Sequence, residues 1–315
     1  SRRPFRIVSR ASPVAADMLF YAALAQFQQG QFAPAMERLQ EFSTKFPKHE
    51  LVDDSLYYAA ESARANGQHE QAFALATRFY KEFPQSPLTN QMALAIGQSL
   101  IALKRNDEAA KQFADLLRRK PPPELGVPAQ YFGAVALHAG GKTDEALKVL
   151  EPLLVDPPKE INDALVGQVF ADAQFLTGSC YFEKKDYAKA VAPLQKYLAA
   201  RPTGDVAGHA LSYLAVSYAA LGQFNELRGS LDVLRNKAAK ELSLPAIFRV
   251  AETCFEAKQY ALAADLYTEV AQKDPQGAEL IKLRFFAGLP NHQAAALLGI
   301  PERTAKRTWA FARAW

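Results

Sequence analysis

The residues with the clearest chemistry lie at the carboxyl end of the chain, where residues 299–315 read GIPERTAKRTWAFARAW. A glycine turn leads to a proline that suits the first position of a helix, and a basic helix follows. Its basic side chains are Arg303, Lys306, Arg307 and Arg313. Guanidinium and ammonium groups are the donors that proteins commonly use on DNA bases and phosphates. The stretch therefore predicts a helix that contacts DNA.

The excess positive charge of the chain is concentrated in the same segment. The sequence has 315 residues, with 37 Lys and Arg, 33 Asp and Glu and a formal net charge of +4. From residue 279 onward there are six basic and two acidic residues, whereas residues 1–278 carry 31 of each. An acidic partner is accordingly expected at the carboxyl end.

No residue pattern in the sequence points to catalysis, a cofactor or a metal. Phosphate-binding, nucleophile-elbow and zinc-protease motifs are absent, and the five histidines are scattered along the chain. Cys180 and Cys254 lie in separate helical segments, which favours buried, inert thiols over a disulfide or a metal pair. No apolar run is long enough to cross a membrane. The sequence predicts a folded, non-enzymatic protein with no cofactor, no metal and no membrane span.

An internal repeat runs through most of the chain. Copies such as GQFAPAMERLQEFSTKFP and GQHEQAFALATRFYKEFP align at one repeated position, here called the slot. The slot recurs at steps of 37 residues, apart from one step of 44 and one of 36. The slot residues are Ala35, Ala72, Ala109, Ala146, Ala190, Leu227 and Ala263. Each copy predicts two amphipathic helices that are joined at a Gly or Lys turn and ended by a proline. Because one such unit cannot bury its apolar face alone, the copies are expected to stack.

This pattern of a small residue, a turn glycine, an alanine and a closing proline resembles the tetratricopeptide repeat (TPR). The resemblance covers residues 14–275, after an N-terminal extension at 1–13. It implies an all-α fold, a right-handed TPR-like superhelix of about seven helix-turn-helix repeats, whose concave groove binds a protein or peptide. Five aromatic residues are placed at one groove position: Phe20, Tyr57, Phe132, Phe175 and Phe248. They predict an apolar ladder for the partner; the alternative is that the rings pack between neighbouring helices.

Residues 276–315 depart from the repeat pattern and predict a small C-terminal helix-turn-helix. Helices are expected at 277–287, at 290–298 and from Pro301 or Glu302. The expected interior consists of Ala294, Ala295, Leu298 and Ile300.

Three segments of the sequence resemble region 4 of ECF-type sigma factors: LIKLRFFAGL, AAALLGI and RTAKRTWAFARAW. That resemblance implies that the last helix, truncated at Trp315, enters the major groove of a promoter −35 element. It also implies that residues 276–315, here called the tail, contact RNA polymerase. The residues it places at bases and phosphates are Arg303, Thr304, Lys306 and Arg307. Arginine pairs bidentately with guanine, whereas Lys306 is expected at phosphate. No segment resembles region 2, which grips the polymerase and melts the −10 element.

The sequence leaves two functions open. In the first, the chain is a cytoplasmic regulatory scaffold whose repeats bind a protein partner while the tail contacts −35-type DNA. In the second, it is a protein-interaction scaffold, similar to repeat proteins of bacterial cell-envelope assembly, and the tail only caps the repeats. The second function is periplasmic if the parent gene carries a signal peptide. DNA binding that depends on Arg303 and Lys306 separates the two.

Overall fold

A computed structural model describes residues 13–155, 164–237 and 240–306. Throughout these ranges the regular structure is helical, without a strand, which confirms the predicted all-α class. The chain divides into two compact units, residues 1–169 and 170–315. Each unit has a hydrophobic core of its own.

In its described residues the first unit contains four complete helical hairpins. Its helices are α1 (Pro13–Gln28), α2 (Phe32–Lys45), α3 (Val52–Ala65), α4 (His69–Glu82), α5 (Thr89–Ala102), α6 (Asn106–Arg118), α7 (Pro123–Ala139) and α8 (Thr143–Val155). The two helices of each hairpin pack together, and α3, α5 and α7 also pack on the first helix of the preceding hairpin. The slot residues Ala35, Ala72, Ala109 and Ala146 are at most 3% exposed. The repeated alanine is therefore a core residue, as the repeat pattern predicts.

The second unit continues the pattern with three hairpins and a tail. Helix α9 (Ala164–Glu183) begins before the boundary between the units and pairs with α10 (Tyr187–Ala200), where the Phe175 ring lies 5.3 Å from that of Tyr197. The other two hairpins consist of α11 (Asp205–Ala220), α12 (Phe224–Lys237), α13 (Lys240–Glu256) and α14 (Tyr260–Lys273). Ala190, Leu227 and Ala263, in the repeated slot, are again buried.

The helices become short after α14. Helix α15 (Pro275–Ile281) has proline at its first position, and the Asp274 carboxylate accepts a hydrogen bond from the Gly277 amide at 2.9 Å. A π-helical turn (Lys282–Phe286) and α16 (Asn291–Leu298) follow, and residues 302–306 are helical again. The helix predicted at 277–287 is thus an α-helix that ends in a π turn.

One residue in each hairpin turn has left-handed backbone geometry. These residues are Gly30, Gly67, Lys104, Gly141, Lys185, Gly222 and Lys258, with φ between 58° and 77°. In the third hairpin the Lys104 amide donates to the Ile101 carbonyl, and the Arg105 amide donates to the Leu100 carbonyl, both at 2.9 Å. This pair of bonds ends a helix and reverses the chain. The predicted Gly or Lys turn is confirmed.

Candidate functional site

In the tail, residues 276–315, the helices that the structure describes pack around a small hydrophobic cluster. Its buried members are Leu280, Ala294, Ala295 and Ala305, and Leu283, Leu298 and Ile300 pack against them. The predicted interior of the tail is therefore confirmed. Because Ala305 is 0% exposed, its packing fixes the rotation of the helix that begins at residue 302.

A tight turn connects α16 to that helix. Gly299 has φ of 63°, and the amides of Gly299 and Ile300 donate to carbonyls about one turn back at 3.3 and 3.1 Å. The same pair of bonds closes the repeat hairpins. The Ala305 amide then donates to the Pro301 carbonyl at 3.1 Å, so the next helix starts directly after the turn. The result is a helix-turn-helix in which Pro301 directly precedes the second helix.

The exposed face of this second helix is charged. Glu302, Arg303 and Lys306 are exposed, whereas Thr304 is half-buried. The Lys306 ammonium lies 2.8 Å from Oε1 of Glu302, one turn earlier. This contact holds the pKa of the Glu302 carboxyl below its usual range, so this carboxyl is ionised at neutral pH.

Three of the four residues predicted to contact DNA lie within the described residues. Arg303 and Lys306 present their side chains to solvent, and Thr304 is partly covered. Arg307 lies outside the described residues. The role of all four in DNA contact stays a prediction.

Arg284 ties the π turn to the loop that enters α16. Its guanidinium donates to the Leu289 carbonyl, and the Leu289 amide donates to the Leu283 carbonyl at 3.0 Å. These bonds help to set where α16 begins. No motif in the sequence identifies this role, because the acceptor is a backbone carbonyl.

The five aromatic residues predicted to line the repeat groove differ in exposure. Phe20 and Phe248 are only 3% and 8% exposed and belong to the cores of their units. Tyr57, Phe132 and Phe175 are half-buried. Phe20 and Phe248 therefore pack between helices and offer almost no surface to a partner.

In the first unit the 37-residue register of Tyr57 contains one residue from the first helix of each hairpin. Phe20 in α1 is buried, whereas Tyr57 in α3, Leu94 in α5 and Tyr131 in α7 are half-buried. Phe132, one residue further on, instead stacks on the Phe113 ring of α6, with centroids 6.2 Å apart. Tyr131 is the groove candidate that the sequence prediction missed, although counting 37 residues from Leu94 identifies it.

An ion pair lies on α3 beside Tyr57. The Arg64 guanidinium donates to the two carboxylate oxygens of Glu61 at 3.1 and 2.8 Å. Burial, helped by the charge of Glu61, raises the pKa of Tyr57 to about 12, so its hydroxyl stays protonated. The fork of Arg64 is thus already engaged by a carboxylate within its own helix.

Neither cysteine thiol is exposed to solvent. Cys180 and Cys254 are buried, and burial raises their pKa values to about 12 and about 11. Within the described ranges, no three His, Cys, Asp or Glu side chains are grouped so that they could hold a metal ion. None of the helices described here is long and apolar enough to pass through a lipid bilayer.

Family comparisons agree with both parts of the architecture. Residues 17–49 and 54–86 match one tetratricopeptide repeat family, and residues 94–161 and 139–205 match a second. Residues 229–315 match the ECF sigma factor family. The chain is a tetratricopeptide-repeat protein, and its C-terminal part is an ECF sigma factor region. No curated protein is similar enough in sequence to count as a relative.

Solved structures with similar folds share little sequence with the chain. A tetratricopeptide repeat protein from Parabacteroides merdae is 11% identical, with a TM-score of 0.57 over 94% of this chain and 98% of that one. The apo form of the quorum sensor NprR from B. thuringiensis is 14% identical, with a TM-score of 0.57 over 96% and 84%. PilW, a type IV pilus biogenesis factor, is 18% identical, with a TM-score of 0.50 over 72% and 96%. These similarities establish the repeat fold alone.

Proposed function

We propose that this chain is a non-enzymatic regulatory scaffold whose repeats bind a protein or peptide partner and whose tail contacts −35-type promoter DNA. The observation that carries the proposal is the exposure of Arg303 and Lys306 on the second helix of the helix-turn-helix, inside the ECF sigma factor region. In such motifs the second helix enters the major groove, and residues near its start contact base edges. A role at promoters also places the chain in the cytoplasm, where RNA polymerase is a further partner.

The repeats supply the surface for the protein partner. Tyr57, Leu94 and Tyr131, at one register of α3, α5 and α7, form an apolar ladder that suits the apolar side chains of a peptide. Because Arg64 is engaged by Glu61, this surface is poorly suited to clamping a terminal carboxylate. Recognition of the partner therefore rests on apolar contact.

The test is the binding of the full chain to fluorescent duplexes with varied −35-like sequences, measured by anisotropy at two salt concentrations. We expect Arg303→Ala to reduce the preference among duplexes, because a bidentate arginine–guanine contact contributes about 1–3 kcal/mol of discrimination. We expect Lys306→Ala to weaken binding to all duplexes alike and to lower the salt slope by about one, because a phosphate contact is lost.

Lys45 provides the matched control. It pairs with Glu41 one turn earlier in α2, as Lys306 pairs with Glu302, and the two lysines are similarly exposed, at 60% and 63%. Lys45→Ala removes the same charge from a repeat helix and is expected to leave binding unchanged. If Arg303→Ala and Lys306→Ala bind every duplex as the wild-type chain does, the tail does not read DNA.

One observation favours the second function, a protein-interaction scaffold with the tail as a cap. Helix α15 begins at the end of α14 and packs against it, as a helix that covers the last hairpin would. PilW, with its pilus role and the same repeat fold, fits an assembly function in the cell envelope. Under this alternative the Arg303 and Lys306 variants leave DNA binding unchanged.

A further inference from the structure

The helix that begins at residue 302 presents three charged side chains on one face. Successive residues of an α-helix are rotated by about 100°, so Glu302, Lys306 and Arg303 fall within about 100° of arc. On the other side, Ala305 is fully buried in the tail cluster and Thr304 is half-buried. The face that is open to a ligand therefore carries an acid as well as two bases.

The acid on this face is ionised. The Lys306 ammonium lies 2.8 Å from the Glu302 carboxylate and keeps the pKa of that carboxyl low. An ionised carboxylate accepts hydrogen bonds and donates none. When the helix approaches DNA, an ionised carboxylate repels the phosphates. This repulsion is offset only where a base donates a hydrogen bond to the carboxylate.

The base edges in the major groove differ in the groups that they offer to this face. Cytosine presents the N4 amino donor, which suits a carboxylate, and guanine presents the N7 and O6 acceptors, which suit a guanidinium. Adenine presents an acceptor beside a donor, which suits a side-chain amide. A helix that carries Glu302 and Arg303 side by side thus matches cytosine and guanine.

We propose that Glu302 is a base-reading residue, which selects cytosine by accepting a hydrogen bond from its amino group while Arg303 reads guanine. Lys306 neutralises the carboxylate and reaches a phosphate. Thr304 is half-buried on the opposite side of the helix from Lys306 and does not read a base. This inference rests on the proposed function, since it requires the tail to lie in the major groove. It adds Glu302 to the predicted contact residues and removes Thr304 from base reading.

A selection from a duplex pool tests the inference. Duplexes with a randomised centre of about ten base pairs, one turn of DNA, are selected by the full wild-type chain and by its Glu302→Gln variant. We expect the wild-type chain to enrich cytosine at one position and Glu302→Gln to enrich adenine there, because an amide matches adenine. Anisotropy then measures the Kd of each protein for the selected duplex and for its C·G to A·T variant. We expect the ratio of these two Kd values to differ by about tenfold or more between the wild-type chain and Glu302→Gln.

Glu41→Gln is the matched control for this substitution. Glu41 pairs with Lys45 in the same i to i+4 arrangement, and the exposure of the two acids is similar, at 43% and 48%. We expect Glu41→Gln to select the same sequence as the wild-type chain.

The outcomes distinguish this inference from the proposed function. If Glu302→Gln binds all duplexes more tightly and still enriches cytosine, Glu302 only opposes DNA, and the inference is overturned. If the wild-type chain enriches a sequence in which no cytosine responds to Glu302→Gln, the inference fails while DNA reading stands. If the wild-type chain enriches no sequence at all, the DNA-reading function itself fails.

Discussion

At the scale of single residues, three hairpin turns hold lysine in a backbone conformation that favours glycine. Lys104, Lys185 and Lys258 have φ between 58° and 60°, close to the values of the glycines in the other turns. This left-handed conformation costs a residue with a Cβ roughly 1–2 kcal/mol. The lysine turns are therefore strained positions in an otherwise regular repeat.

We expect Lys104→Gly to raise the free energy of unfolding. Glycine removes the strain and loses roughly 0.5–1 kcal/mol through the greater entropy of its unfolded chain, which leaves a net gain of about 0.5–1 kcal/mol. Urea unfolding measures the change. Lys111→Gly, at an exposed position inside α6, is the control and should lose about 1 kcal/mol. Equal destabilisation by both variants would show that the turn is not strained.

The sequence could predict these turns but not the contact of Arg284. Glycine favours the left-handed conformation and occupies four of the seven turns, and the repeat register places lysine at the same position in the other three. Arg284 donates to the carbonyl of Leu289, whose position depends on the π turn and on the loop that follows. The residue types alone do not define that geometry.

At the scale of elements, the contact inside each hairpin depends on complementary size at facing positions. A Cβ on Gly97 of α5 would lie 2.4 Å from Cζ of Phe113 in α6. A Cβ on Gly178 of α9 would lie 2.6 Å from Cγ of Leu194 in α10. Other hairpins have alanine in the same register, as at Ala60. In the third hairpin the absence of a side chain on α5 thus makes room for the ring on α6.

We expect Gly97→Ala to destabilise the chain by about 1–3 kcal/mol, because overpacking against Phe113 outweighs the better helix propensity of alanine. Adding Phe113→Leu should make the double variant more stable than the sum of the single changes predicts, by about 1 kcal/mol. Gly229→Ala is the control, since a Cβ there meets no atom within 4 Å, and it should stabilise α12. Stabilisation by Gly97→Ala as well would disprove the close contact.

In α7 the residue predicted for the groove, Phe132, lies one position away from the 37-residue register of Tyr57 and Leu94. Tyr131 and Phe132 are adjacent aromatics, and either residue fits a pattern of bulky groove positions. A shift of one residue rotates a side chain by about 100° around the helix. Phe132 therefore faces the ring of Phe113, while Tyr131 keeps the register of Tyr57. The strict repeat length, and not the residue type, contains the information needed here.

At the scale of the whole molecule, the repeat pattern and the sigma factor match overlap. The match begins at residue 229, within α12, whereas the hairpins continue to the end of α14. The predicted join between residues 275 and 276 marks the end of the repeat periodicity, and it stays a prediction. Repeat spacing reflects the need of each hairpin to stack, so it does not detect a family resemblance that starts inside the array.

Because the two compact units have separate cores, we expect a substitution in one core to destabilise mainly its own unit. Leu56 is 0% exposed in the core of the first unit, and Leu231 is 1% exposed in the core of the second. Each Leu→Ala change should cost about 2–5 kcal/mol, and the double variant should lose the sum within about 0.5 kcal/mol. Hydrogen exchange should show that Leu56→Ala lowers amide protection in residues 1–169 and Leu231→Ala in residues 170–315. Leu297→Ala, at a site that is 68% exposed, is the control and should change neither unit. If Leu56→Ala lowers protection equally in both units, the chain unfolds as one cooperative body, and the local, nearest-neighbour account of its stability is wrong.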